Sequence, residues 1–289
     1  MKILLLGSDG QLGRCISDKF NTSHYELVYT NRSSLDITDK NKVLNFLKSL
    51  KPQIVINAAA YAAVDDAESN FSEANKINHL AVSNISKACL ENNLLLIHIS
   101  TDYVFDGITD TSYLEDDKTN PINVYGKTKL LGEEAVKNIG CKHIIIRTSW
   151  LFSEYGKNFL KVMLDLSSKR KELNIINDQF GCPTYAPDLA EAIKKILDFY
   201  PNKLTYGTYH FAGDQTCSWA DFAEKIFEIA NEKKFISNIP KIIPVGSDHY
   251  ITSAKRPTNS ILNSNLIKKQ FNVDPSDWRD GIRKTILKF

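Results

Sequence analysis

The stretch NVYGKTK, residues 123 to 129, sets Tyr125 four positions ahead of Lys129 at the start of a run with helical apolar spacing. Positions i and i+4 share one face of a helix, so the two side chains point the same way. An ammonium beside a phenol favours phenolate. A tyrosine of ordinary pKa near 10 needs a shift of roughly three units, about 4 kcal/mol, to exchange protons near neutral pH. The chemistry on offer is general acid catalysis; the bland alternative is a solvated helix face. In HISTDYVFDG, Ser100 and Thr101 close an apolar run, where a hydroxyl could hydrogen-bond a carbonyl oxygen that Tyr125 protonates. A turn or cap is the alternative there.

Other residues suit a dinucleotide. GSDGQLG spaces Gly7, Gly10 and Gly13 three apart after the first apolar run. Such glycines permit a tight turn, backbone approach to a pyrophosphate and close helix packing, with phosphates at the helix N-terminus. A plain strand-to-helix turn would use them too. In TNRSSLDIT, Arg32 could contact a ribose 2′-phosphate while Asp36 and Ile37 flank an adenine; otherwise Arg32 is a solvated loop charge. Arg32 favours NADPH over NADH. In NAAAYAAVDDAE, the alanines Ala58, Ala59 and Ala60 leave backbone uncovered for a flat cofactor, with Tyr61 alongside, unless they begin an alanine-rich helix.

Positioning these groups requires strands and helices in alternation, and the chain supplies them. ILLL, ELVY, QIVIN, LLLIHIS and HIIIRT are short apolar runs, each followed by a helix-length periodic stretch. This pattern predicts an α/β fold, a Rossmann-like doubly wound parallel sheet covered on both faces. Ligands in such sheets bind beyond the carboxyl ends of the strands. Residues 1–150 are expected to form the dinucleotide-binding domain. From about residue 150 the pattern loosens into LNII, NDQFGCPTY, a helix from Pro187, a strand near GTYHFA, a helix after Ser218 and a terminal helix. Residues 151–289 are therefore expected to form a smaller, partly interleaved α/β substrate domain.

Bulk properties exclude several classes. With 36 basic and 34 acidic residues spread along 289, a net charge of +2 offers no block of like charge for a nucleic-acid partner. The five cysteines, Cys15, Cys89, Cys141, Cys182 and Cys217, show no CxxC spacing, which argues against a disulfide framework or zinc site and for a reducing cytoplasm. The six histidines have no ligand spacing. MKILLLGSDG is too short in apolar residues for a signal peptide or membrane span and reads as a first strand.

Together, GxxGxxG after the first strand, Ser-Thr after the fourth and YxxxK on the next helix resemble the extended short-chain dehydrogenase/reductase family. GQLG, NAAAY, STDYVFDG, NVYGKTKLLGE, RTSWLF, NDQFGCPT and RPTNS resemble, more narrowly, its branch that reduces the C4 ketone of dTDP-4-dehydro-L-rhamnose. The resemblance covers nearly the whole chain. It implies Thr101, Tyr125 and Lys129 as the catalytic set, with Tyr125 the proton donor, Lys129 on the nicotinamide ribose and lowering the tyrosine pKa, and Thr101 orienting the carbonyl. It implies Gly7, Gly10, Gln11, Leu12 and Gly13 around the pyrophosphate and Asp36, Ile37, Ala60, Tyr61 and Ala62 along the cofactor, NADPH with NADH admitted. Asp102 and Trp150 would meet the substrate, and Arg256 with NDQFGCPT would grip its diphosphate. Ala62 departs from members with threonine there. Cys15 and Pro187 stand where other members place acidic magnesium ligands at a dimer contact, so no metal and a monomer or weak homodimer are expected. The shared residues also suit a related reductase or epimerase of another nucleotide sugar, or an NADP-binding regulatory subunit.

Overall fold

The computed structural model describes residues 1–21 and 24–289. Its first half runs β1 (Lys2–Leu6), α1 (Gln11–Asn21), β2 (Glu26–Thr30), α2 (Lys40–Leu50), β3 (Ile54–Asn57), α3 (Val64–Ser69), α4 (Phe71–Asn75), a π-helical turn (Lys76–Leu80), α5 (Ala81–Glu91), β4 (Leu95–Thr101), α6 (Val124–Ile139) and β5 (His143–Thr148). The second half runs β6 (Leu151–Phe152), α7 (Phe159–Ser167), β7 (Glu172–Ile176), β8 (Phe180–Gly181), β9 (Thr184–Tyr185), α8 (Ala186–Leu197), β10 (Gly207–His210), β11 (Cys217–Ser218), α9 (Trp219–Glu232), β12 (Lys241–Val245), α10 (Asn265–Phe271) and α11 (Trp278–Ile286).

Six parallel strands form the main sheet in the order β10-β5-β4-β3-β1-β2. Side chains alternate between faces, which divides each apolar run between two layers. Ile3, Leu5, Ile54, Ile56, Leu95, Ile97, Ile144 and Ile146 meet α1 and α8, whereas Leu4, Leu6, Val55, Leu96 and Ile145 meet α2 and α5. Each such residue is buried on whichever face it points to, so continuous apolar sequence is what a doubly covered strand requires. Full burial of one of these side chains stabilises the fold by roughly 1.5–3 kcal/mol.

The chain returns to this sheet after leaving it. β10 pairs with β5 in register Gly207↔Ile144, and α8 packs on α1. α10 joins them, with Ile267 and Phe271 in the same core, while α7, α9 and α11 build a second core, enclosing Phe152, Phe222, Phe227 and Trp278 beside the parallel pair β7 and β12. The periodic stretch EANKINHLAVSNISKACLEN, read as one helix, is divided by the π turn between α4 and α5. There the buried Asn78 turns inward, with its Nδ2 donating to the Tyr61 carbonyl at 3.1 Å and to Thr128 Oγ1 at 3.1 Å.

Candidate active site

Strand order reverses between β1 and β3, and the carboxyl ends of β1, β2 and β3 border a cavity of about 460 Å³. Gly7, Gly10, Arg32, Asp36 and Ile37 line it, as do Ala58, Ala59, Ala60, Tyr61 and Ala62. The alanines are loop, since helix begins only at Val64. Gly7 has φ +80°, and a Cβ there would stand 2.7 Å from Ala59 N. A Cβ on Gly13 would fall 2.2 Å from the Gly7 carbonyl oxygen, so the turn closes directly against the start of α1. The leading N–H groups of α1, at Gln11, Leu12 and Gly13, have no partner inside the helix and make its positive end. A glycine turn beside a helix N-terminus fits a pyrophosphate.

The side chains of Gln11 and Leu12 are engaged elsewhere. Leu12 is core, and Gln11 Nε2 donates to the Leu151 carbonyl at 3.0 Å while its Oε1 accepts from Asn158 Nδ2 at 2.7 Å. Any contact these residues make with a phosphate is therefore through backbone N–H. On the other rim, Thr38 binds the Asp36 carboxylate through hydroxyl and N–H, holding it below the usual carboxylate range.

Helix α6 is fastened at its first turn by distant parts of the chain. Asn123 Oδ1 caps Gly126 N at 2.7 Å, Asn123 Nδ2 donates to the Lys255 carbonyl at 2.8 Å, and Val124 N donates to Glu68 Oε1 at 2.8 Å. A Cβ on Gly126 would lie 2.0 Å from the Tyr103 carbonyl oxygen, so only glycine admits this approach. Tyr125 is thereby carried to the carboxyl end of β4, where its hydroxyl faces Thr101 and its ring meets Tyr103 edge-on at 5.9 Å. Lys129, one turn on, is buried, and its Nζ donates to the Ile99 carbonyl at 2.6 Å.

Burial dominates the electrostatics of this cluster. Burial pushes the Tyr125 phenol up to about 12, with the nearby Asp102 adding to the rise and the Thr101 bond opposing it. One N–H of the Lys129 ammonium is held by the Ile99 carbonyl, which fixes the side chain beneath the end of β4. Burial pushes Lys129 itself down to about 8, against the pull of Glu133. Tyr125 is thus a neutral phenol, a form that holds a proton to give. Thr101 Oγ1 donates to Asp102 Oδ1 at 2.9 Å, while Asp102 Oδ2 is buried with no hydrogen-bond partner. Ser260 faces this carboxyl, its hydroxyl directed to the Phe180 carbonyl at 3.4 Å, and burial pushes Asp102 up to about 7.

A second cavity, about 1060 Å³, lies in the other half of the chain and is lined by Phe159, Asn174, Gln179, Trp219, Tyr250 and Arg256, among others. Trp219 is its indole wall. Trp150, expected to meet the substrate, stacks its ring on Trp219 at 3.5 Å and 6°, and Gly181 beside it leaves no room for a Cβ, which would lie 2.6 Å from the indole. Arg256 reaches the cavity but is forked onto Asp65, with Nη2 at 2.7 Å and Nη1 at 3.2 Å from its oxygens. Asp65 also accepts from Ala254 N at 3.1 Å, so one carboxylate at the start of α3 ties the two cavities' walls together.

Several contributors escape sequence reading. Asn78, Tyr103, Asp65 and Trp219 have no spacing signal, because their partners lie far away in the chain. The buried Arg147–Glu133 pair, with Nε at 2.9 Å and Nη2 at 2.8 Å from the carboxylate, braces α6 against β5 and is equally silent in sequence. Cys15 is buried, its thiol pushed up to about 12 by desolvation, and Pro187 sits in the first turn of α8. Among the described residues no group of three or more His, Cys, Asp or Glu side chains could hold a metal, and no helix is long and apolar enough to cross a membrane.

A parallel sheet with a glycine turn at its switch point and a tyrosine–lysine helix beyond β4 define a Rossmann-like protein of the extended short-chain dehydrogenase/reductase class. A family model described as RmlD substrate binding domain matches residues 1–289, and the chain belongs to that family. It is 40% identical over 285 residues to a dTDP-4-dehydrorhamnose reductase of Aggregatibacter actinomycetemcomitans, covering 98% of this chain and 97% of the relative. It is 39% identical over 291 residues to the Escherichia coli K12 protein of the same name, covering 99% and 97%. A crystal structure of dTDP-4-dehydrorhamnose reductase from Bacillus anthracis in complex with NADP superposes with a TM-score of 0.92 at 35% identity, covering 100% of this chain and 99% of that one.

Proposed function

We propose that the chain is a reductase that carries hydride from NADPH to the C4 ketone of dTDP-4-dehydro-L-rhamnose, giving dTDP-L-rhamnose. The full-length similarity to reductases of that name supports this reading. The observation that carries it is the meeting of Thr101, at the end of β4, with Tyr125 and the buried Lys129 on α6 beside the glycine-turn cavity.

The switch-point cavity is the site for the dinucleotide. The backbone of Gly7, Gly10, Gln11, Leu12 and Gly13 holds the pyrophosphate. Arg32, Asp36 and Ile37 flank the adenosine, Ala58 to Ala62 cover the flat face, and Lys129 anchors the nicotinamide ribose. When bound, NADPH supplies the hydride. Thr101 fixes the carbonyl oxygen, and the Tyr125 O–H bond breaks as that oxygen takes the proton, completing the alcohol. Asp102 meets the sugar, and Trp150 shapes the pocket through Trp219. Arg256 exchanges Asp65 for diphosphate oxygens, a fork geometry that suits either partner.

Residues 1–150 and 151–289 make up the dinucleotide and sugar-nucleotide domains, with α8 and β10 returned to the first. The protein acts as a monomer or weak homodimer in the cytoplasm, a setting that its scattered cysteines suit.

The test is loss of nicotinamide absorbance with enzymatically made dTDP-4-dehydro-L-rhamnose, run beside UDP- and GDP-linked ketosugars and the Tyr125→Phe variant. The native chain oxidises NADPH with the dTDP sugar, and the variant loses orders of magnitude in turnover while still binding NADPH. Unchanged turnover in the variant overturns the role of Tyr125; oxidation with a different nucleotide sugar alone overturns the substrate.

A further inference from the structure

The adenosine end of the dinucleotide cavity carries opposed charges whose balance bears on which cofactor it takes. Where a dinucleotide fold that selects NADH places an acid after the second strand, β2 here runs into Thr30, Asn31 and Arg32. Asn31 is committed locally: its Oδ1 accepts from Ser33 N and Ser34 N, each at 3.1 Å, and its Nδ2 donates to Asp9 Oδ2 at 2.8 Å. The cationic side chains lining the cavity are Arg32 and Lys76, against Asp9, Asp36 and Glu73. Asp9 and Asp36 are bound to Asn31 and Thr38. Glu73, in the first turn of α4, instead faces Arg32 across the rim, Oε1 to Nη2 3.8 Å. Arg32 is 88% exposed and has a long, mobile reach, so this contact holds it by charge alone.

Resting on the reductase reading, we propose that Glu73 sets the discrimination between NADPH and NADH. Its carboxylate neutralises Arg32 when no 2′-phosphate is present and competes with that phosphate for the guanidinium when one is. The cleft therefore accepts both dinucleotides, with the phosphate's advantage held down by the charge opposite it. A carboxylate and a phosphate dianion near one guanidinium repel, and the exposed ion pair that must open is individually weak. Removing the carboxylate leaves Arg32 free to serve the phosphate and does nothing for NADH.

Calorimetric binding of 2′,5′-ADP and 5′-AMP, with parallel titrations of NADPH and NADH, reads this without turnover. Glu73→Gln should tighten 2′,5′-ADP and NADPH about two- to fivefold while leaving 5′-AMP and NADH unchanged, an effect that added salt shrinks. Arg32→Ala should abolish the preference for the 2′-phosphate and make Glu73→Gln silent in the double variant. If Glu73→Gln moves the phosphorylated and unphosphorylated probes equally, or moves neither, the role of Glu73 is wrong and the reductase reading stands. If the native chain binds none of the four, both fall.

Discussion

Asp102→Asn removes the one carboxyl in the site that has a buried oxygen without a partner, and its effect on stability depends on pH with a definite sign. Burial raises the Asp102 pKa from 3.8 to about 7. A rise of about three units corresponds to roughly 4 kcal/mol of preference for the protonated form. Below pH ~4 the carboxyl is protonated in folded and unfolded chains alike, and the folded state keeps this advantage in full. Between pH ~4 and ~7 the unfolded chain sheds the proton while the folded chain retains it, so stability declines with rising pH; above the folded pKa the loss is complete. Asparagine has no proton to lose. Its amide, placed where Oδ2 is unpartnered, costs about 1–3 kcal/mol at every pH. Urea unfolding of both proteins across this range gives the free energies, and every other titrating group cancels in the difference between them. The variant should be the less stable protein at pH ~4 and should gain on the native chain by up to about 4 kcal/mol by pH ~8. Parallel curves would show that Asp102 titrates like an ordinary carboxylate, and that its carboxyl is solvated in the folded protein.

Two further substitutions probe how Tyr125 is held. Gly126→Ala places a methyl 2.0 Å from the Tyr103 carbonyl oxygen, backbone against backbone, with nothing flexible to give way. It should cost about 1–3 kcal/mol in urea unfolding and lower turnover by about 100-fold through displaced Tyr125; a variant as stable and active as the native chain contradicts the close approach. Glu133→Gln leaves the Arg147 guanidinium buried without its countercharge, and should destabilise by about 3–5 kcal/mol. The double change Glu133→Leu with Arg147→Met should recover most of that loss, and failure to recover any would mean the pair is not what couples α6 to β5.

Five strands of the sheet were legible because most are buried on both faces, whereas β10, which joins it beside β5, lies in the stretch assigned to the second domain. A run such as KILLL has no polar side to show, and helical periods between such runs admit few arrangements besides a covered parallel sheet. The glycine turn and the 125/129 pair were legible for a related reason: each is local, with its geometry set within a few residues by Gly7 and Gly13 or by the helical repeat of α6. The single helix expected across EANKINHLAVSNISKACLEN hid a π turn, whose inward Asn78 is explained by Tyr61 and Thr128 rather than by anything in its own segment.

By itself the amino-acid sequence determined what is written in nearest neighbours: alternation of buried strands with helices, a strand-to-helix turn open to phosphate, and a phenol and an ammonium on one helical face. Tertiary structure decided everything that depends on what distant chain segments bring. It raised the Tyr125 phenol by burial and set the Lys129 ammonium against the Ile99 carbonyl. It put Trp219 on the cavity wall with Trp150 stacked against it, and it set Glu73 opposite Arg32. A pKa, a stacked ring or an ion pair is a property of the distance between groups, and folding sets that distance from segments the sequence holds far apart.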